Sequence, residues 1–469
     1  MISPPHIPFD VLLEMMDFLP ASGLVALLLT CKTLRKEGGK KLLLRIEEVD
    51  VAPQHLSSFC RFMLVDDGYR IPFLRHSLCL RDDAGMRVDP ETPAMLVEIL
   101  SRITRLRRLR VECADWLFIA IPELSDTIAS MTCLQEFTMG LRFQNDDAEK
   151  MLLFMQSQLK SADIMYGGFD QDRPETMTQE TIDRTRDFDD ENMNPIVLLA
   201  NSSHSLERVT ARNFMVLDVD HGIVYPNVTR LDLVNNSDIW ILPFIRAFPN
   251  IGTLTVANER TYQDASVRSF NWEGQLFDGK WDVLDTLVGA APCIYNLSLL
   301  CHVRSMVLDA LNSPEPPSFR SEMMALSTII ADTRPSELIV RMRGKLKEAE
   351  KYVAQLQTIP HQLTSMGVTL RVKTLPTDRG LTNNMRRLIK ATPPAVTSFV
   401  YVLVVLCKDE ECTTDAPTCL KPQETLTVPE PDEDVVRASL SEHPGLGQFT
   451  MRIEGQHSNT PWFSKCIQG

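Results

Sequence analysis

Apolar residues recur along this chain in two rhythms. Over residues 7–43 the spacing is helical. Val11, Leu12, Met15, Met16 and Leu19 share one face, with Pro8 and Asp10 ahead of them and Pro20 behind. Those residues favour a helix start and a helix stop. Ser22 predicts a cap for a second helix over 24–29. Thr30 predicts a cap for a third over 32–36, which Gly38 and Gly39 interrupt or end. The second helix is apolar on nearly every side, a pattern that predicts burial all round. Three short helices bury too little surface alone, so the rest of the chain or a partner must cover part of them.

From about Leu74 the rhythm becomes Φ-x-x-Φ-x-Φ, where Φ is apolar. It occurs in LRRLRV from Leu106, LQEFTM from Leu134, LERVTA from Leu206, VTRLDL from Val228, IGTLTV from Ile251 and IYNLSL from Ile294. In a chain that is 44% hydrophobic the triplet alone says little. Its flanks say more: PNVTRLDL, PNIGTLTV and PCIYNLSL share Pro-x-Φ-x-x-Leu-x-Φ, and Asn236 follows in VTRLDLVNN. That shape resembles leucine-rich repeats, with one short strand per repeat. The fourth-position residues Leu109, Phe137, Val209, Leu231, Leu254, Leu297, Leu338 and Leu370 then face the core. Alternate positions face outward, which makes Arg110, Thr138, Asp232, Thr255 and Ser298 a candidate substrate surface.

Other segments fit the same plan. SELIVRMRGKLKEAEKYVAQLQTI reads as a strand over 338–340 and a helix over 344–358, with Leu346, Ala349, Tyr352, Val353 and Leu356 on one face. AVTSFVYVLVVLC from Ala395 reads as a buried strand. Residues 167–194 form a polar stretch, YQDASVRSFNWEGQLFDGKWD an insertion with two tryptophans, and 312–319 a Pro-rich loop. From Lys408 the chain turns acidic and Pro-containing, which predicts a loosely ordered tail with short packed pieces.

A net charge of −14 argues against a nucleic-acid partner, since phosphate affinity rests on Lys and Arg. The run Arg102, Arg105, Arg107, Arg108 and Arg110 reads as a solvated face, with a local docking site for an acidic partner as the alternative. The 11 cysteines, odd in number and set mostly in apolar segments, read as free thiols in a reducing compartment. Four glycosylation sequons are read as chance matches. Asp10, Glu14 and Asp17 stand where a signal peptide needs positive charge, and no apolar run reaches the ~20 residues of a membrane span. No phosphate loop, nucleophile elbow or metalloprotease helix occurs. Asp218, Asp220 and His221 read as a turn, and Cys407, Cys412 and Cys419 lack the second pair of a zinc site.

The opening stretch resembles an F-box. Ile7, Pro8, Asp10, Val11 and Leu12 match that family's Leu-Pro-x-Glu-Leu-Leu start, Met15 and Met16 its Ile-Leu, and Leu19 the leucine ending helix one. Leu24, Leu27, Thr30 and Cys31 continue the match without a gap. Thr30 replaces the usual valine, and Leu34 stands where tryptophan is frequent. The resemblance implies that Pro8, Val11, Leu12, Met15, Met16, Leu19, Leu24, Leu27, Thr30 and Cys31 dock the Skp adaptor of an SCF-type cullin–RING ubiquitin ligase. It also implies that the remaining chain binds a protein substrate. An F-box followed by irregular leucine-rich repeats is similar to the expanded F-box families of mushroom-forming fungi. The expected fold class is α/β: a small N-terminal all-α three-helix F-box-like module (1–48), an irregular leucine-rich-repeat-like α/β solenoid (49–407) and an acidic tail (408–469). The expectation is a non-catalytic receptor without cofactor or metal, in cytoplasm or nucleus, with no membrane partner. The alternative is a repeat scaffold whose N-terminal helices only cap the array.

Overall fold

The computed structural model describes residues 8–81, 89–112, 114–141, 145–167, 194–214, 216, 222–234, 239–257, 263–309, 316–343, 346–357, 362–372, 377–405, 430–443, 445–455 and 463–468. The fold is mixed α/β, and the chain divides into two compact units, Met1–Thr229 and Arg230–Gly469.

The first unit opens with three helices, α1 (Phe9–Met15), α2 (Ala21–Leu28) and α3 (Lys32–Arg45). Six parallel strands follow, paired in chain order: β1 (Glu48–Val51), β2 (Ser77–Leu80), β3 (Arg108–Val111), β4 (Glu136–Leu141), β5 (Ser161–Tyr166) and β6 (Arg208–Arg212). The links between them carry α4 (Leu56–Gly68, broken at residues 65–67), α5 (Thr92–Arg102), α6 (Ala114–Ala120), α7 (Glu123–Ser130), α8 (Asp146–Phe154) and α9 (Pro195–Leu198).

The second unit holds β7 (Arg230–Val234), β8 (Thr253–Ala257), β9 (Val283–Gly289), β10 (His302–Asp309), β11 (Glu337–Arg343), β12 (Ser365–Val372), β13 (Ser398–Val405), β14 (Gln448–Gly455) and β15 (Phe463–Gln468). Each pairs with the next in parallel, except the antiparallel β14–β15. Its helices are α10 (Leu242–Ala247), α11 (Ala265–Phe277), α12 (Ala291–Leu297), α13 (Pro316–Thr333), α14 (Leu346–Leu356), α15 (Asp378–Ala391) and α16 (Glu433–Ser441).

A strand order that never reverses sends every crossover back over the same face of the sheet. That face is the continuously buried one, although β2, β6 and β7 also bury central positions of the other face. In β3, Leu109 and Val111 point inward while Arg108 and Arg110 stay exposed. In the second unit Leu231, Leu254, Leu287, Met306, Leu338, Met366, Phe399 and Phe449 share one register and are all fully buried. Each such side chain contributes about 1.5–3 kcal/mol. Hydroxyls hold the turns beside the first unit's strands. The buried Ser157 donates to the Met131 carbonyl (2.6 Å) and accepts from the Leu134 N–H, and Ser202 does the same between Ser157 and Leu159.

Several expectations change. IYNLSL is no strand: residues 291–297 form α12, because Pro292 fits a first helical turn and the Ile294–Leu297 spacing suits a helix as well as a strand. Residues 312–315 and most of 167–194 lie outside the described residues, and so does Asn236. Residues 316–319 open α13 instead of forming a loop. The strand at 338–340 extends over the whole of β11, and Ala349, Tyr352, Val353 and Leu356 are buried at the predicted spacing. β13 is covered on one face only: Phe399, Tyr401, Leu403 and Val405 are buried, and Ser398, Val400, Val402 and Val404 are half-exposed. Within 408–469, α16, β14 and β15 are packed elements that continue the sheet.

Candidate docking surfaces

The N-terminal helices pack around Met16, Leu24 and Leu34, with Leu12, Leu13, Leu19, Leu27 and Leu42 partly buried against them. Neither Ser22 nor Thr30 caps a helix. Pro20 and Cys31 take the N-cap positions without side-chain bonds, and the Thr30 hydroxyl donates back to the Leu27 carbonyl (2.7 Å). α3 runs straight through Gly38 and Gly39, both buried. A Cβ on Gly38 would sit 2.2 Å from Leu28 Cδ2, and one on Gly39 2.7 Å from Arg70 Nε. Close approach, not helix breaking, explains the pair.

The ten residues marked by the F-box resemblance separate into three groups. Met16 and Leu24 are fully buried in the trio's own core. Leu12, Leu19 and Leu27 are half-buried, and Pro8, Val11, Met15, Thr30 and Cys31 are exposed. Sequence reading missed Phe9, Phe18, Val25 and Leu29, of which Phe18 is 87% and Leu29 70% exposed. The rest of the chain covers the second helix on one side only, so burial all round would need a partner. Leu24 and Leu28 face inward, while Val25 and Leu29, also four apart, face out. These exposed large apolar side chains lie on α1, on α2 and in the turns that follow them.

Polar contacts fix the trio in place. Asp17 receives Lys41 Nζ at 2.8 Å and Arg45 at 3.4 Å, and Lys41 also donates to the Leu13 carbonyl. Hydrogen bonding to Lys41 holds the Asp17 carboxyl below its usual range. The buried Arg70 donates to the Phe62 carbonyl (2.6 Å) and the Arg35 carbonyl (3.3 Å) and stacks 4.2 Å from the Phe62 ring centre. Lys36 lies over Tyr69 and Lys40 over Phe73.

The second candidate surface is the uncovered face of the strands. Arg110 and Thr138 are neighbours in register on β3 and β4 and face outward. Around them charges pair off: Arg108 with Glu136 (2.7 Å), Arg110 with Glu112 (2.9 Å), and Arg212 with both oxygens of Asp163 (3.1 Å each). Thr255 sits half-exposed beside Asp232 on β7. Asp232 itself is buried and accepts from Arg230 Nε (3.0 and 3.2 Å), so it is not a free contact residue. Ser298 is not on a strand. It ends α12 with a left-handed φ of 50° and is buried. Farther along, Val288, Ile339, Val400, Val402 and Val404 make the outward positions apolar and half-exposed.

Among the described residues no group of three His, Cys, Asp or Glu side chains is placed to hold a metal ion. Residues 217–221 and Cys407, Cys412 and Cys419 lie outside them. Burial pushes the Cys60 and Cys79 thiols up to about 11 and Cys301 to about 12, which keeps all three protonated and unreactive. No described helix is long and apolar enough to cross a membrane. No known protein-family model matches this chain, and no curated protein matches its sequence.

Proposed function

We propose that this protein is the substrate-recognition subunit of an SCF-type cullin–RING ubiquitin ligase. The N-terminal helices dock a Skp-type adaptor and, through it, a cullin. The strand-bearing remainder, built on a leucine-rich-repeat-like plan, binds a protein substrate, and the chain itself does no chemistry. The carrying observation is the exposed apolar set Phe9, Val11, Met15, Phe18, Val25 and Leu29 on the first two helices and the turns that follow them. Covering such side chains contributes about 1.5–3 kcal/mol each, and a few of them suffice as an interface hot spot.

The test is binding of purified Skp-type adaptor to the full chain and to Phe18→Asp, Val25→Asp and Leu29→Asp. All three substitute exposed residues, so circular dichroism should not change while adaptor affinity falls at least about 100-fold. Unchanged affinity in all three refutes docking through this surface. Leu24→Asp is unsuitable, because it breaks the trio's own core. The second reading is a repeat scaffold whose helices are only a cap. The attachment of α3 through Arg70 favours it, and failure of wild-type chain to bind the adaptor would select it.

A further inference from the structure

Helix α11 is inside out. Its buried face carries Val267, Asn271 and Gln275, and its exposed face carries Phe270, Trp272, Leu276 and Phe277. The buried amides are fully engaged. Asn271 accepts from the Ile241 N–H (3.0 Å) and donates to the Ile239 and Asn296 carbonyls (2.8 and 2.9 Å). Gln275 donates to the Leu297 and Ser298 carbonyls (3.1 and 2.9 Å) and accepts from the Leu300 N–H (3.1 Å). Gly274 presses on α10, where a Cβ would stand 2.1 Å from Leu242 Cδ1. Arg268 is tied to the Tyr295 carbonyl and to Asp332 (2.6 Å). These bonds fix the helix's rotation, so the aromatic face cannot turn inward.

That face is large. Phe277 is 84% exposed, Leu276 53%, Trp272 43% and Phe270 40%. At roughly 150–250 Å2 per large side chain, about 450 Å2 of apolar surface is open, at the upper end of what a lone soluble protein shows. Glu273 stands inside it. Phe270, Leu276 and Phe277 lie three before, three after and four after it, and these are its neighbours on a helix surface. Glu273 makes no ion pair among the described residues. A partner that covers the aromatics also covers this carboxylate, and an unpaired buried charge is prohibitive. The occupant must therefore bring a cation to that point. A second copy is a poor occupant. The helix's own cation, Arg268, is held by Asp332 and Lys280 lies beyond the helix end, two chains of net charge −14 repel, and a stable dimer covers about 800 Å2 per partner.

We propose that the outward face of α11 docks a segment of another protein with apolar side chains flanking a central lysine or arginine. The cation pairs with Glu273 and lies against Phe277 and its neighbours. This site is independent of the N-terminal helices and does not rest on the ubiquitin-ligase reading.

The probe is a set of fluorescein-labelled amphipathic helical peptides, Leu and Phe on one face, with Lys, Arg, Ala or Glu at its centre. Anisotropy titration with the full chain should show Lys and Arg peptides binding at least about tenfold tighter than the Glu peptide. Glu273→Lys should invert that order, and Trp272→Ser with Phe277→Ser should weaken every peptide about tenfold or more. These positions are exposed, so the variants keep the wild-type circular dichroism. The proposal is overturned if no peptide binds, if affinity ignores the central residue, or if the order survives Glu273→Lys. It is also overturned if the wild type sediments as a dimer that Phe277→Ser dissolves, which assigns the face to a second copy.

Discussion

Replacing Asn271 with leucine should weaken the protein, although leucine is the better helix former by a few tenths of a kcal/mol and the position is fully buried. The substitution deprives the Ile241 N–H and the Ile239 carbonyl of their Asn271 bonds, and the Asn296 carbonyl loses one as well. Each buried backbone group that loses its partner costs about 1–3 kcal/mol. The added apolar burial returns at most about 2 kcal/mol, and forcing a branched side chain into an amide-shaped site costs about 1–3 kcal/mol more. The terms sum to a net loss of at least about 2 kcal/mol. Hydrogen-exchange mass spectrometry of peptides spanning α10 and α11 should read it as a drop in protection of at least about 30-fold. Asn271→Ala, which suffers the same three losses with neither the overpacking nor the apolar gain, should also fall at least about 30-fold. Phe277→Ser removes a whole aromatic ring from the same helix, yet should stay within about 0.5 kcal/mol, as surface substitutions do. If Asn271→Leu holds or raises protection, or Phe277→Ser costs more than Asn271→Leu, the inside-out assignment of α11 is wrong.

Two more outcomes follow from the N-terminal helices. Gly38→Ala gains about 1 kcal/mol of helix propensity, but its Cβ falls 2.2 Å from Leu28 Cδ2 and 3.0 Å from Met16 Cε, an overlap costing about 1–3 kcal/mol. Gly23→Ala meets nothing nearer than 3.5 Å and keeps the gain, so exchange protection across α2 and α3 should fall in the first variant and rise in the second. A shift of both in one direction would mean that α2 and α3 do not approach this closely. Asp17, its pKa depressed chiefly by the Lys41 hydrogen bond, contributes stability above the unfolded carboxylate value of about 3.9. That contribution disappears as pH falls through the lower folded value. Pepsin cleavage within α1 should therefore accelerate below about pH 4 in wild type relative to Asp17→Asn, which lacks that step. Identical pH profiles in the two proteins would exclude the contribution.

The strand core was legible because a sheet covered on one face writes its alternation into the sequence. Leu109, Phe137, Val209, Leu231, Leu254 and Leu338 are buried where the pattern puts them. The pattern misses β9, whose last inward position is Gly289, since a Cβ there would strike the Val256 carbonyl oxygen at 2.3 Å. It misplaces residues 294–297, because a Φ-x-x-Φ spacing satisfies strand and helix alike. Gly38 and Gly39 read as a stop by local propensity, but close packing against Leu28 and Arg70 overrides it. At the N-terminus, motif matching marks apolar positions without saying which way they point. Met16 and Leu24 point in, while Phe18 and Leu29, outside the motif, point out. The polar Asn271 and Gln275 face inward for a reason no hydropathy pattern contains: backbone groups of neighbouring loops need their amides.

Arg70 gives the N-terminal region a mechanical property. Its guanidinium is sealed between α3 and the ring and carbonyl of Phe62. Tilting α3 away from α4 would strip that charge of the Arg35 carbonyl, at a cost of about 1.5–3 kcal/mol. The junction therefore works as a rivet instead of a hinge. A load applied at Phe18 or Leu29 reaches α4 and the adjoining strands as a rigid lever would carry it, with little loss to bending at the joint.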